Sequence, residues 1–213
     1  MPINFKTGVP DAIRCNVYPM TQVEDKALDN WLDEQLAKGY IRPSISPYAS
    51  SFFFIKKKDG KLRPVQDYRN LNKWMVRNQY PLPLITSLIQ DLGGAHIFSK
   101  LDVRWGYNNV RIKEGDEYKA AFKTRRGLYE PMVMFFGLTN SPATFQAMMN
   151  SLYHDTITKH EAFGTFIRIY MDDIAIATRT PSLEAHIAVV TDVLTVACDN
   201  SLYFKLSKCV FHV

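Results

Sequence analysis

An α+β fold is predicted for this chain of 213 residues, on three observations. Segments rich in β-branched and aromatic residues alternate with segments of helical periodicity, but without the regular strand–helix period of a parallel α/β protein. Glycine, proline and aspartate mark the boundaries in combinations that specify tight turns. The 46% hydrophobic content suffices for one large core or two modest ones, and no stretch has a disordered composition.

In chain order, Thr21 opens a T-x-x-E capping box with Glu24. Leu28, Leu32 and Leu36 recur every four residues, and Gly39 stands where a helix-ending glycine belongs. Together they predict a helix over about 22–38. "SSFFFIKKKDGKLRPVQDY" has two β-type runs around an Asp59-Gly60 turn and reads as a hairpin. "PLPLITSLIQDLGGA" is a short helix ended by Gly93 and Gly94, and "IFSKLDV" is a strand arriving at Asp102. "YKAAFKT" and "YEPMVMFF" are predicted as strands, and "NSPATFQAMMNSLY" as a helix with Pro142 near its first position. "FIRIYMDDIAIAT" is a hairpin with Asp172 and Asp173 at its turn. A last helix runs from about Pro181 to Ala197, with Leu183, Ile187, Val190 and Leu194 along one face.

Several classes are disfavoured. No apolar run approaches the eighteen residues of a spanning helix, and "MPINFKTGVPDAIR" lacks the apolar middle of a signal peptide, so a soluble, intracellular protein without membrane contact is expected. Cys15, Cys198 and Cys209 are odd in number and form no C-x-x-C pair, which predicts reduced, structural thiols. Gly93-Gly94 is not a phosphate loop, because no G-x-x-x-x-G-K-[ST] follows. His154 and His160 lack metal-ligand spacing and are expected at the surface, while Trp31 and Met148 fit apolar helix faces.

The formal net charge is +5, yet between Lys56 and Arg77 eight basic residues face only Asp59 and Asp67. The net charge of that segment alone exceeds that of the whole molecule. A solvated hairpin explains it without function, and a surface facing phosphates explains it with one.

The carboxylates raise a sharper question. Two adjacent aspartates in a tight turn repel each other unless a cation neutralises them. Arg168 is a possible partner, although its position on the strand does not bring it to both. A hard divalent ion such as Mg²⁺ favours a few carboxylates plus substrate phosphates, and Asp102 at another strand end is the candidate third ligand. The dipeptide alone reads first as an ordinary turn, since Asp is a common turn residue. Its apolar flanks, the second acidic strand end and the separate basic hairpin favour the metal.

Here the residues resemble a known family. "YMDD" (Tyr170–Asp173) resembles the YxDD motif of reverse transcriptases, and "FSKLDVRWGYNNVRI" their strand and turn with the first catalytic aspartate. "LAKGYIRPSISPYASS", "KKKDGKLRPVQDYRNLN", "YPLPLI", "FKTRRGLYEPMVMFFGLTNSPATFQAMMN" and "KLSKCVF" resemble successive blocks of Ty3/gypsy-type LTR retrotransposon polymerases, in the family's order over nearly the whole chain.

The resemblance implies the fingers and palm of a right-hand polymerase, the palm with a ferredoxin-like βαββαβ core. Residues 1–95 would be mainly fingers and 96–213 mainly palm, with a fingers insertion near 111–138. It implies an RNA-directed DNA polymerase that extends a primer on an RNA or DNA template with dNTPs. Asp102, Asp172 and Asp173 match the catalytic carboxylates, and two Mg²⁺ ions, or Mn²⁺ in their place, would be held with the Val103 carbonyl. The primer 3′-hydroxyl would attack the α-phosphorus in line, with pyrophosphate leaving.

Arg63 matches the fingers arginine over the incoming nucleotide, and Lys57 or Lys58 the lysine at its γ-phosphate. Trp105 and Gly106 match backbone donors to the triphosphate, Tyr107 the aromatic gate beneath the sugar, and Phe136 a residue of the nucleotide pocket. Tyr170 and Met171 would lie near primer and template. Phe135, where proline is common, and Trp105, where a small residue is common, depart from the pattern. The thumb, connection and RNase H parts, and any protease or integrase signature, are not found in these residues. They are therefore expected as partners within a polyprotein, in a cytoplasmic virus-like particle or the nucleus. The rival expectations are a catalytically silent copy that only binds nucleic acid, and a nucleotidyl cyclase.

Overall fold

The structure, a computed structural model, describes residues 1–213. Its regular elements are helix α1 (Gln22–Ala37), strands β1 (Ile41–Pro43), β2 (Ser50–Lys56) and β3 (Leu62–Asp67), helices α2 (Arg69–Trp74) and α3 (Ile85–Asp91), strands β4 (Ile97–Asp102), β5 (Phe122–Thr124) and β6 (Gly127–Pro131), helix α4 (Ser141–Glu161), strands β7 (Thr165–Tyr170) and β8 (Asp173–Thr178), and helix α5 (Leu183–Asp199). The class is α+β, as expected. No helix is long and apolar enough to cross a membrane.

Two compact units form, Met1–Asn78 with Tyr107–Ser141, and Gln79–Gly106 with Pro142–Val213. The segment before β4 is tied into the second unit. Asn150 donates to the Tyr80 hydroxyl at 2.8 Å, and Arg168 Nε to Asp91 at 2.7 Å. Residues 107–141 return the chain to the first unit.

In the first unit a five-stranded sheet has the order β1-β6-β5-β2-β3. Leu28 and Leu32 of α1 pack with Phe52, Phe122, Tyr129 and Phe135, and Trp31 lies against that cluster. The predicted capping box is present, with Thr21 N–H donating to Glu24 at 2.8 Å, and Gly39 has φ 66°. Asp25, Asp29 and Asp33, four apart and so on one face of α1, meet the turn between β5 and β6: Arg125 Nε lies 2.7 Å from Asp25 and Arg126 Nη1 2.8 Å from Asp33.

Two strand expectations are corrected here. In "YKAAFKT" only Phe122–Thr124 is strand; Glu117–Ala120 is a 3₁₀ turn, held by buried Glu117 accepting the Gly115 N–H at 2.7 Å and by Asp116 accepting from Lys119 at 2.6 Å and from the Ile3 N–H at 2.8 Å. In "YEPMVMFF" the strand ends at Pro131, and beyond it only an isolated bridge of Val133 to Arg111 continues.

The second unit holds a three-stranded antiparallel sheet, order β4-β8-β7. The segment 204–210 bridges β4 antiparallel at Val103↔Phe204 and Lys100↔Val210. With that segment as a fourth, irregular strand, the chain order is β-α-β-β-α-β, the ferredoxin-like arrangement expected. Ile167, Ile169, Ile174 and Ile176 form the buried face of the sheet, and Phe145, Met149 and Tyr153 of α4 and Val189, Val190 and Val193 of α5 are buried with them. α4 runs on to Glu161, well past the predicted segment.

The face of α5 differs from the leucine stripe read from the sequence. His186, Val189, Val190, Val193 and Ala197 are buried, whereas Leu183, Ile187 and Leu194 are exposed. A histidine takes the inward position because both ring nitrogens find hydroxyls, Nε2 with Ser99 Oγ at 2.8 Å and Nδ1 with Thr178 Oγ1 at 2.7 Å. His160 is likewise buried rather than at the surface, its Nε2 2.8 Å from Asp192. Met148 is half-buried on α4, and all three cysteines are free, with Cys198 exposed.

Burial, and then the neighbouring His212, lower the His186 pKa below its ordinary 6.5. The unfolded chain therefore takes up this proton first as pH falls. The stability that His186 contributes is complete above about pH 6.5 and is lost on acidification towards its lower folded value. Urea unfolding from pH 7.5 to 5 is expected to show a stability loss of up to about 1.4 kcal/mol per pH unit from this group, absent from His186→Gln. Parallel pH profiles for the two proteins would contradict it.

Candidate active site

β7 and β8 are joined by a two-residue turn, Met171-Asp172, with Tyr170 paired to Asp173. Met171 has φ 54°, a left-handed conformation that glycine adopts freely in such turns and methionine does not. The strain, on the order of 1 kcal/mol, is held by α4. Fully buried Gln146 accepts the Met171 N–H at 2.9 Å and donates to the Ile169 carbonyl at 3.0 Å and to Asn150 at 2.8 Å. One amide side chain thus fastens both the turn and its incoming strand.

The register places Asp102, the last residue of β4, directly opposite Asp173 of β8. Val103 N–H donates to the Asp172 carbonyl at 2.7 Å, locking the strand end to the turn. Asp102, Val103, Asp172 and Asp173 are therefore brought together. Like charges opposite each other in a sheet are unfavourable, and two lysines offset them. Lys208 Nζ lies 2.8 Å from Asp102 Oδ2, and Lys100 Nζ 3.0 Å from Asp173 Oδ1. Arg168 is not a partner; it pairs with Asp91 and Glu161.

Asp172 has no such cation. Its Oδ1 is buried without a hydrogen-bond partner, and its pKa is raised by burial, then by Asp102 and Asp173, against the smaller opposing effect of Lys208. No three or more carboxylate, histidine or cysteine side chains already converge as a ligand cage. The donor set nevertheless suits a hard divalent cation, which would relieve both the repulsion and the orphaned oxygen.

Gly106 is buried against this carboxylate. A Cβ there would collide with Asp172 Oδ1 and stand 2.7 Å from Phe145 Cζ. Trp105 before it has φ 52° and an exposed indole with the Arg104 guanidinium 3.9 Å from the ring centroid.

In the first unit, the Tyr107 and Phe136 rings lie 4.7 Å apart, and the Arg63 guanidinium stacks 4.5 Å from the Phe136 centroid. Tyr107 is buried and Phe136 exposed. Arg63, Tyr107 and Phe136 thus form one cluster. Lys57 and Lys58 are exposed where β2 turns into β3, at a turn closed by Lys57 N–H to the Lys61 carbonyl at 2.8 Å. Sequence reasoning missed Lys100, Lys208, Gln146 and Phe145. Lys100 alone had a signal, since it lies two residues before Asp102 on a strand and so on the same face.

Residues 55–213 match the family described as reverse transcriptase (RNA-dependent DNA polymerase). The Tf2-3 and Tf2-7 transposon polyproteins of Schizosaccharomyces pombe are 37% and 36% identical to this chain over 195 residues, 92% of the chain and 14% of each polyprotein. These agree with the Ty3/gypsy-type resemblance of the sequence blocks. Among solved structures, foamy viral protease-reverse transcriptase in complex with an RNA/DNA hybrid aligns with TM-score 0.84 at 20% identity, over 99% of this chain and 27% of that one. A form of it in complex with double-stranded DNA aligns with TM-score 0.85 at 21% identity, over 99% and 36%. The fold is that of fingers and palm.

Proposed function

Because this chain belongs to the reverse transcriptase (RNA-dependent DNA polymerase) family, we propose that it extends a primer with dNTPs on an RNA or DNA template, as part of a retrotransposon polyprotein. The observation that carries the reading is the carboxylate centre, with Asp102 and Asp173 in register and Asp172 half-buried with one buried, unpartnered oxygen. Asp102, Asp172 and the Val103 carbonyl would hold Mg²⁺, with Asp173 in support. Bound there, such ions would supply charge neutralisation to the reacting phosphoryl group. The side chains supply no covalent nucleophile. They bind and orient, in keeping with a transfer in which positioning and electrostatics do most of the catalysis.

The remaining roles follow the same reading. The Trp105 and Gly106 backbone serves the triphosphate, and the missing Gly106 side chain lets that backbone pack directly against Asp172 and Phe145. Arg63, steadied on Phe136, and Lys57 or Lys58 serve the nucleotide. Tyr107, buried beside Phe136, walls off the sugar 2′ position, and Tyr170 and Met171 lie toward primer and template. A labelled-primer extension assay on RNA and DNA templates tests the function, with primer lengthening expected on both. Binding of primer–template without lengthening would identify a silent copy, and cyclic product from nucleotide alone a cyclase.

Tyr107→Val is expected to raise ribonucleotide use relative to deoxynucleotide use by roughly ten- to a hundredfold, because the wall excludes a hydroxyl by overlap. The ratio of kcat/KM values for matched substrates measures it. An unchanged ratio in a stably folded variant would assign Tyr107 to packing alone.

A further inference from the structure

We propose that Lys208 is a resident substitute for the active-site cation: its ammonium holds Asp102 in place in the metal-free chain, leaves that carboxylate when a divalent ion binds, and so sets the affinity of the site for metal. The inference rests on the reading of Asp102 and Asp172 as metal-holding carboxylates.

Three aspartates meet in this centre and two ammonium groups cover two of them. The two contacts are unlike. Lys100 and Asp173 are both about half exposed, 52% and 48%, which is the environment of an ordinary solvent-screened pair. Asp102 is only 13% exposed, so water serves it poorly, and Lys208 Nζ is the cation within 2.8 Å. A cation placed on the innermost of the paired carboxylates occupies an oxygen that a metal requires.

The backbone around Lys208 is fixed while its side chain is not. Lys205 N–H donates to the Asp102 carbonyl at 2.8 Å, and Lys208 N–H to the Lys205 carbonyl at 2.8 Å. On the other side, Lys100 and Val210 exchange hydrogen bonds at 2.7 and 2.8 Å. The short 3₁₀ turn Leu206–Lys208 is thus pinned to β4 at both ends. The Lys208 side chain is 57% exposed, so it can swing into water without disturbing these bonds. Exchange of ammonium for metal requires one side-chain movement and no unfolding.

The probe is Mn²⁺ alone, without nucleotide or nucleic acid. Binding to the 213-residue chain is measured by electron paramagnetic resonance of the free ion, with melting recorded in EDTA and at saturating Mn²⁺. Lys208→Met and Lys208→Gln are each expected to bind Mn²⁺ roughly fivefold more tightly than wild type, the factor corresponding to loss of one competing ion pair. Both are expected to melt below wild type in EDTA, with the gap closing as Mn²⁺ saturates, while Lys100→Met changes affinity less. Equal or weaker Mn²⁺ binding by a folded Lys208 variant overturns the exchange and leaves the metal site standing. Absence of any binding that Asp172→Asn removes, in wild type and variants alike, overturns the metal reading and the exchange with it.

Discussion

Asp172→Asn is expected to slow addition of a single nucleotide about a thousandfold or more, with no loss of folded stability in the absence of metal. The two halves of this result have one cause. Asp172 is half-buried, faces the charges of Asp102 and Asp173, and has a buried oxygen without a partner, so in the metal-free chain its negative charge is unfavourable. Removing the charge relieves that repulsion, and the variant melts at or above the wild-type temperature in EDTA. The same charge favours a divalent cation, and losing one ligand of a two-metal centre costs about 4 kcal/mol or more of transition-state stabilisation, hence the thousandfold. Asp102→Asn makes the contrast. It loses the Lys208 ion pair as well, so activity and EDTA melting temperature fall together. Thermal unfolding beside rapid-quench kinetics reads both outcomes, and a marked loss of stability in Asp172→Asn would contradict the electrostatic description.

The second large effect is expected at a residue with no functional group. Gly106 does not need a left-handed backbone; it needs the absence of a Cβ, because that atom would overlap Asp172 Oδ1 and crowd Phe145. Gly106→Ala must therefore move the turn or the ring. Overpacking of this kind costs about 1–3 kcal/mol of stability, and displacing a catalytic group by an ångström or so costs roughly a hundredfold in rate. The double variant Gly106→Ala with Phe145→Leu separates the two contacts. Relief at the ring should recover part of the melting temperature, while the collision with Asp172 keeps the rate low. Full recovery of rate in the double variant would show that Phe145, and not the carboxylate, is what the glycine accommodates.

Much of this was legible before any coordinates, wherever the signal is local. The capping box of Thr21 and Glu24, the hairpin around Asp59-Gly60 and the hairpin of "FIRIYMDDIAIAT" are fixed by neighbours in sequence and form as read, although the turn of the last is Met171-Asp172, with Asp173 already in the strand. The placement of Asp102 beside Asp172 and Asp173 was also anticipated, because strand ends carry their side chains to a common edge. What escaped depends on distant partners. The inward face of α5 was misjudged because apolar spacing cannot register that His186 is satisfied by Ser99 and Thr178, hydroxyls on two different strands. His160 is buried for the same kind of reason, through Asp192. The strand expected at "YKAAFKT" gives way in part to a 3₁₀ turn because Glu117 and Asp116 bond to the backbone there, against the β preference of their neighbours. Lys208 lies 106 residues from Asp102, and nothing in its surroundings marks it as the group that neutralises that carboxylate.

The central claim, that Asp102, Asp172 and Asp173 form a metal-dependent nucleotidyl-transfer centre, is tested most directly by single-turnover addition of one deoxynucleotide to a labelled primer on an RNA template. The primer lengthened by one nucleotide should form in Mg²⁺, disappear with EDTA, return on adding Mg²⁺ back, and remain about a thousandfold slower in folded Asp172→Asn. Mg²⁺-dependent product formed by Asp172→Asn at the wild-type rate would contradict the claim.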